Sequence, residues 1–292
     1  MTNVQSTTAA PRAGVRQRPR RPLPVLIGDA GLTIGVALIV LPLVFTVLTS
    51  LRTSADVSDA PLGFPKSFTL DNFRAAYQSI HYGTSVVNSL VVLSLSAVIT
   101  VIAGALAAYP LARLTRSWAG WVYRLFIAGS TVPVFVLIAP LYLLMRDLGL
   151  LDSYLGVVLI YAALNLPVAV FFYTSFFRQI PLELEEAAAI DGAGPLRTFF
   201  TILFPLLRPI TATLATFLTL SIWNDLIIPL VFIQTAGRRT VMANAYSLVG
   251  TYSVDPTVLF PAALLGVAPL LVVFILLQRE VVEGLTMGAV KS

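Results

Sequence analysis

Residues 153–177 read SYLGVVLIYAALNLPVAVFFYTSFF, 25 positions without one Asp, Glu, Lys or Arg. A helix crosses the ~30 Å hydrocarbon core of a bilayer with about 20 mostly apolar residues, so this run is long enough to span. It is far longer than the strand of a lipid-facing barrel and lacks the in–out alternation such a strand requires. Irregular backbone in lipid would leave peptide groups unpaired, which leaves the helix. The same test picks out residues 30–51, 86–112 (the strongly apolar part of a charge-free run that begins at 75), 125–145, 209–237 (interrupted only by Asp225) and 256–278. The reading is an all-α polytopic membrane protein with six transmembrane helices near 25–51, 86–111, 121–145, 154–177, 208–233 and 258–278.

Composition agrees. Apolar residues make up 57% of the 292 and charged residues 11%, against about 25% charged in an average soluble domain. There is no Cys and a single His, His81. Disulfides, Cys-based metal or Fe–S sites and multi-histidine centres are therefore excluded. A P-loop needs Gly-Lys-Ser/Thr. Lys66 follows Pro65 and Lys291 follows Val290, so no such nucleotide site exists in this chain. The expectation is no bound cofactor, no metal and no catalytic residue, with membrane lipid rather than nucleic acid around the protein.

Cationic residues set the orientation. Arg12, Arg16, Arg18, Arg20, Arg21, Arg113, Arg116, Arg124, Arg178, Arg197, Arg208, Arg279 and Lys291 fall on one side, 13 in all, against 6 on the other (Arg52, Lys66, Arg74, Arg146, Arg238, Arg239). Both termini are expected in the cytoplasm. Residues 1–22 form a basic, disordered tail, 23–280 the transmembrane domain and 281–292 a C-terminal tail. The first apolar run is about twice the length of a signal-peptide core and reads as a retained span.

The segment after residue 177 is not a tether. From Arg178 it runs RQIPLELEEAAAIDGAGPLR to Arg197. Pro181 suits the first position of a helix, Glu183, Glu185 and Glu186 suit its positive end, and Asp191-Gly192 ends it. Gly194-Pro195 opens a second helix. Residues 178–207 are thus expected to form a cytoplasmic helix-turn-helix between spans four and five. By composition alone it is either a stiff elbow that transmits force or an interfacial helix with solubilising glutamates.

Here the residues carry a resemblance. Glu186-Ala187-Ala188, Gly192, Ile202 and Pro205 follow the Glu-Ala-Ala, three residues, Gly, nine residues, Ile-x-Leu-Pro pattern of permease subunits of bacterial ABC importers. Phe204 stands where Leu is usual. Phe68-Thr69-Leu70-Asp71-Asn72-Phe73, Ala107 to Arg113 (AAYPLAR), Trp223-Asn224-Asp225 with Pro229-Leu230, and Glu283 to Lys291 (EGLTMGAVK) resemble, in order, stretches of the second permease of maltose-, trehalose- and glycerol-phosphate-type importers. The resemblance implies a cytoplasmic-membrane subunit that translocates a sugar or oligosaccharide. It implies four kinds of partner: an ATP-binding subunit dimer holding ATP and Mg, a second and different permease, an extracytoplasmic solute-binding protein, and lipid. By position, Glu185, Glu186, Ala187, Ala188, Asp191, Gly192 and Pro205 become ATPase-coupling residues. Gly284 and Gly288 become contacts of the tail toward the ATPase.

A charge at bilayer depth usually faces a cavity or a partner. Asp225, with Asn224 and Trp223, supplies the hydrogen-bonding and stacking groups a sugar needs. Consecutive helical positions point about 100° apart, so the three do not share one face. Asn224 also suits a structural bond to a neighbouring helix. Asn165 lies before Pro167, where it either faces the path or satisfies a carbonyl freed by the proline. Two other classes compete with the ATP-driven sugar importer: an ion-coupled secondary carrier with Asp225 as coupling carboxylate, and an integral-membrane enzyme. The latter lacks a converging His/Asp/Glu set. An ABC permease for a non-sugar solute is the remaining alternative.

Overall fold

The computed structural model describes residues 23–249 and 255–289, with side-chain surroundings for 31–249 and 255–275. The expected disordered segment 1–22 lies outside the described residues. The described chain is helical: α1 (Leu23–Ser50), α2 (Ser54–Asp59), α3 (Asp71–Ser79), α4 (Tyr82–Arg113), α5 (Ser117–Ser130), α6 (Val134–Asp147), α7 (Tyr154–Phe177), α8 (Glu183–Ile190), α9 (Pro195–Thr198), α10 (Phe204–Leu206), α11 (Arg208–Asn224), α12 (Ile227–Phe232), α13 (Val241–Tyr246) and α14 (Pro256–Ala289). It divides into two units, residues 1–46 and 47–292. The first carries the apolar run of α1, in which Thr46 returns its hydroxyl to the carbonyl of Pro42 at 2.9 Å.

Among the described residues four helices are long and apolar enough to cross a membrane: Gly31–Ser50, Tyr82–Arg113, Tyr154–Phe177 and Pro256–Ile275. Two bent pairs raise the number to six if each counts as one span. The expected span at 121–145 corresponds to α5 and α6, which are bent by 100°. Pro133 lacks an N–H and drives the residue before it out of helical geometry, so the helix stops and restarts there. The expected span at 208–233 is also broken. Asp225 takes an extended conformation (φ −70°, ψ 133°), and its carboxylate accepts from the amides of Ile227 and Ile228 at 3.0 and 3.3 Å. A short acidic side chain that satisfies free N–H groups ends one helix and caps the next. The N-terminal side of α11 meets the Pro195–Leu206 run at 72°.

In the second unit α4, α7 and α11 build the core. Val92, Ala105 and Ala108 meet Val157, Ile160, Ala169, Tyr173 and Phe177, with Leu214, Leu218 and Ile222 behind them. Lipid is as apolar as leucine, so helix association in a membrane rests on close packing and favours small residues at the contact. A second cluster joins Ala76, Ile80, Trp223, Val241, Ala245 and Ala262.

The segment between α1 and α4 holds α2 and α3 and is tied to itself by side-chain hydrogen bonds. Arg52 is 1% exposed. It donates to the Asp56 carboxylate at 3.0 Å and to the carbonyls of Asp56 and Ala60, both at 2.7 Å. Within the Phe68–Phe73 stretch, Asn72 donates to the carbonyls of Ser50 and Arg52 at 3.0 and 2.6 Å. The first hydrogen bond to Asp56 from Arg52, then that from the Lys66 amide, hold the Asp56 carboxyl below its ordinary value.

Candidate functional site

Two features could do work: a cavity inside the bundle and the elbow at α8.

The cavity is half open and offers about 760 Å³ among α5, α6, α7, α11 and α12, within the usual range for small-molecule sites. Its walls are mostly apolar, among them Leu137, Leu164, Phe217 and Ile228. Asn165, Asn224, Asp225, Ser130 and Ser221 supply the polar groups. Three of the four sequence-derived path candidates therefore meet on one cavity. Trp223 does not. It is 4% exposed and its indole N–H donates to the carbonyl of Gly266 on α14 at 3.0 Å. The helical advance of about 100° per residue turns it away from its two neighbours.

Asp225 is also more constrained than its sequence position suggests. Besides the two backbone amides, it accepts the hydroxyl of Tyr161 at 2.7 Å. Asn165 donates to the carbonyl of Tyr161 at 2.8 Å, one turn earlier on α7, and Asn224 donates to Leu220 at 2.9 Å. Tyr161 is the residue that sequence reading missed. It is a polar-tipped aromatic four positions before Asn165, and that spacing was the available signal.

The elbow begins two residues after Pro181, at Glu183. Gly192 has φ +77°, a left-handed turn that glycine adopts without steric cost. Pro195 sits at the start of α9, and a π-helical turn, Phe199–Leu203, leads to α10 and Pro205. The acidic cluster divides. Glu183, Glu186, Ala187, Asp191 and Gly192 are exposed, whereas Ala188 is buried and Glu185 is half-buried. Glu185 faces inward: Tyr109 donates its hydroxyl at 2.6 Å and Arg113 its Nε–H at 2.7 Å. Gly284 and Gly288 fall inside the helical run of α14 with no turn at either. Their surroundings lie outside the described residues.

A smaller bracket sits between α6 and α12. Asp152, at φ +53°, accepts from the amides of Gln234 and Thr235 and from the Thr235 hydroxyl at 3.0, 2.9 and 2.6 Å, and pairs with Arg238 at 3.3 Å. The Thr235 hydroxyl and then its amide are the main reasons its carboxyl lies below the ordinary value. Asn88 joins the same region, donating to the carbonyls of Gly237 and Arg239 and accepting from Tyr154.

The second unit is thus a set of broken apolar helices around a polar-dotted cavity, with an acidic helical elbow between α7 and α11. The chain belongs to the family of binding-protein-dependent transport system inner membrane components, whose profile matches residues 100–285. It is 36% identical over 253 residues to the melibiose/raffinose/stachyose import permease protein MelC of Bacillus subtilis, covering 86% of this chain and 91% of that one. It is 32% identical over 265 residues to the diacetylchitobiose uptake system permease protein NgcG of Streptomyces coelicolor (90% and 87% covered). With the trehalose transport system permease protein SugB of Mycobacterium tuberculosis it shares 33% over 263 residues (89% and 95%). Its fold matches a chain from the crystal structure of a bacterial ABC transporter involved in the import of the acidic polysaccharide alginate, with a TM-score of 0.76, 19% identity, and 90% and 99% of the two chains covered.

Proposed function

We propose that this chain is the permease subunit of a binding-protein-dependent ABC importer that carries a sugar or oligosaccharide across the bacterial cytoplasmic membrane. ATP hydrolysed on a separate subunit drives it. The names of its relatives support the solute class. The cavity chemistry supports it too, since amides and hydroxyls on an apolar wall suit a neutral polyol.

One observation carries the mechanism. A helical elbow, not a flexible tether, stands between α7 and α11, with Glu186, Ala187, Asp191 and Gly192 on its open side. Docked on a cytoplasmic ATPase dimer, such an elbow receives the closure of that dimer and tilts the spans. Glu186 is its polar contact, Ala187 allows close approach and Gly192 makes the turn. Ala188 and Pro205 pack the elbow against its own chain. ATP and Mg belong to the ATPase, and this chain contributes no catalytic group. A second, different permease completes the path, and a solute-binding protein delivers the sugar from outside. Six spans, with α5 and α6 counted as one and α11 and α12 as another, leave both termini in the cytoplasm, in line with the 13-to-6 cationic bias. The tail beyond residue 280, with Gly284 and Gly288, extends toward the ATPase. The cavity residues Asn165 and Asn224 face the solute. The Asp225 carboxylate is committed to Tyr161 and two backbone amides, which argues against a coupling role for a proton or Na⁺.

The test is reconstitution of the chain with an ATPase dimer, partner permease and binding protein. Uptake should require ATP and survive an ionophore. Glu186→Lys combined with Gly192→Pro should abolish uptake and solute-stimulated hydrolysis while insertion persists. Unchanged transport by that double variant overturns the role of the elbow. Uptake that collapses with the ion gradient at constant ATP overturns the whole reading.

A further inference from the structure

The acidic cluster of the elbow splits into an outward and an inward part, and the inward part is bonded to a helix that is not its neighbour in sequence. Both oxygens of Glu185 are engaged by α4. Oε2 takes the Tyr109 hydroxyl at 2.6 Å and Oε1 takes Arg113 Nε at 2.7 Å. Arg113 then uses Nη2 to hold the carbonyl of Ile180 at 3.0 Å, just ahead of the elbow. Tyr109 and Arg113 stand four residues apart, so they project from one face of the last turns of α4. The ion pair is 14% and 16% exposed, which removes it from the class of screened surface pairs that contribute little. Beneath it, the Tyr109 ring packs against Phe177 and Phe199, both at 5.6 Å. The ends of α4 and α7 and the start of the π-helical turn thus meet under one carboxylate. Glu183 and Glu186, two residues before it and one after, are exposed and form no ion pair among the described residues.

We infer that Glu185 is a positioning residue which clamps the elbow helix α8 to the C-terminal turn of α4. This inference rests on the proposed ATP-driven function and adds a route to it. The elbow is joined covalently only to α7 and, through α9 and α10, to α11. Without the carboxylate, a force on α8 would reach α4 only through side-chain packing and the Arg113 bond to the Ile180 carbonyl ahead of the helix. With Glu185 held at both oxygens, displacement of α8 pulls the end of α4 directly. The other end of that helix carries Asn88, which is bonded to the 237–239 backbone. The clamp therefore joins the motor-facing elbow to a helix that is pinned again at its far end. Glu185 serves the coupling from inside the chain, and the contact to the motor falls to Glu186.

The experiment uses the complete reconstituted assembly and reads three quantities: copurification of the ATPase, hydrolysis without solute, and solute transported per ATP hydrolysed. Glu185→Ala and Arg113→Ala should each leave copurification and solute-independent hydrolysis near wild type and lower the transport-to-hydrolysis ratio at least tenfold. Arg113→Lys, which keeps the charge and one donor, should recover part of that ratio. The chain has no cysteine, so Arg113→Cys with Glu185→Cys gives a unique pair. Joining the pair with a short bismaleimide should restore coupling that the unlinked pair has lost. Wild-type coupling in Glu185→Ala, or loss of copurification and hydrolysis in step with transport in all variants, overturns the clamp. So does a linked pair that stays uncoupled. If instead the wild-type assembly shows no ATP-dependent uptake, the proposed function fails and the variants are not needed to show it.

Discussion

Replacing Gly104 by Leu should weaken the bundle at the contact of α4 with α7. A Cβ built at Gly104 would lie 2.6 Å from the Cβ of Ala169. Carbon atoms in contact lie about 3.5–4.0 Å apart, so the first added carbon alone asks the helices to part by about 1 Å. Ala169 is fully buried and sits on a helix packed on both sides of that point, so it has nowhere to retreat. For Gly104→Ala two effects oppose each other: a gain in helix propensity of about 1 kcal/mol and overpacking of about 1–3 kcal/mol. The net loss should be small. Leu adds three more carbons for no further propensity gain, and about 3 kcal/mol is expected, the upper end of the overpacking range. Gly120→Leu is the control, because a Cβ there meets nothing within 4 Å and the position is exposed. The assay is the apparent melting temperature of the full chain in detergent, by size-exclusion chromatography after heating at one fixed rate. The order should be wild type and Gly120→Leu highest, Gly104→Ala slightly lower and Gly104→Leu lowest. A Gly104→Leu protein that melts with the control would refute close helix contact at this position.

Three more outcomes are expected. Trp223→Phe keeps the ring packing but drops the bond to Gly266, so stability should fall by about 1 kcal/mol with the KM for solute unchanged. Asn224→Ala should do the reverse, raising KM about tenfold or more at unchanged melting temperature, both read on the reconstituted assembly. Asp152 has a depressed carboxyl, so its bracket contributes fully at neutral pH and fades as acidification passes below about pH 4. Protease cleavage within residues 233–240 should rise over that range, and Asp152→Asn should remove part of the pH dependence.

Much of this protein was legible in its residues because each reading depended on local composition. The charge-free runs marked the apolar helices, since the length needed to cross lipid is fixed by the rise of a helix. Gly192 and Pro195 marked the elbow turn because their backbones allow few alternatives. Asn165, Asn224 and Asp225 stood out because polar groups in an apolar run are costly without a partner. The bends were less legible. Pro133 and Asp225 were visible, but prolines also occur inside α4, α6 and α7, and nothing local states which one will break its helix.

Sequence alone determined the helical class, the lack of a cysteine or a Gly-Lys-Ser/Thr motif, and the set of polar groups that had to be accounted for. Only the tertiary structure decided where those groups point. It turned Trp223 away from the cavity its neighbours line. It gave the carboxylates of Asp225 and Glu185 to tyrosines 64 and 76 residues distant, and buried Arg52 against the carbonyls of Asp56 and Ala60. The physical reason is that a side chain's direction on a helix follows from spacing, whereas its partner depends on which helices pack together. That choice is set by long-range fit between surfaces such as Gly104 and Ala169, and is not encoded in any single stretch of the chain.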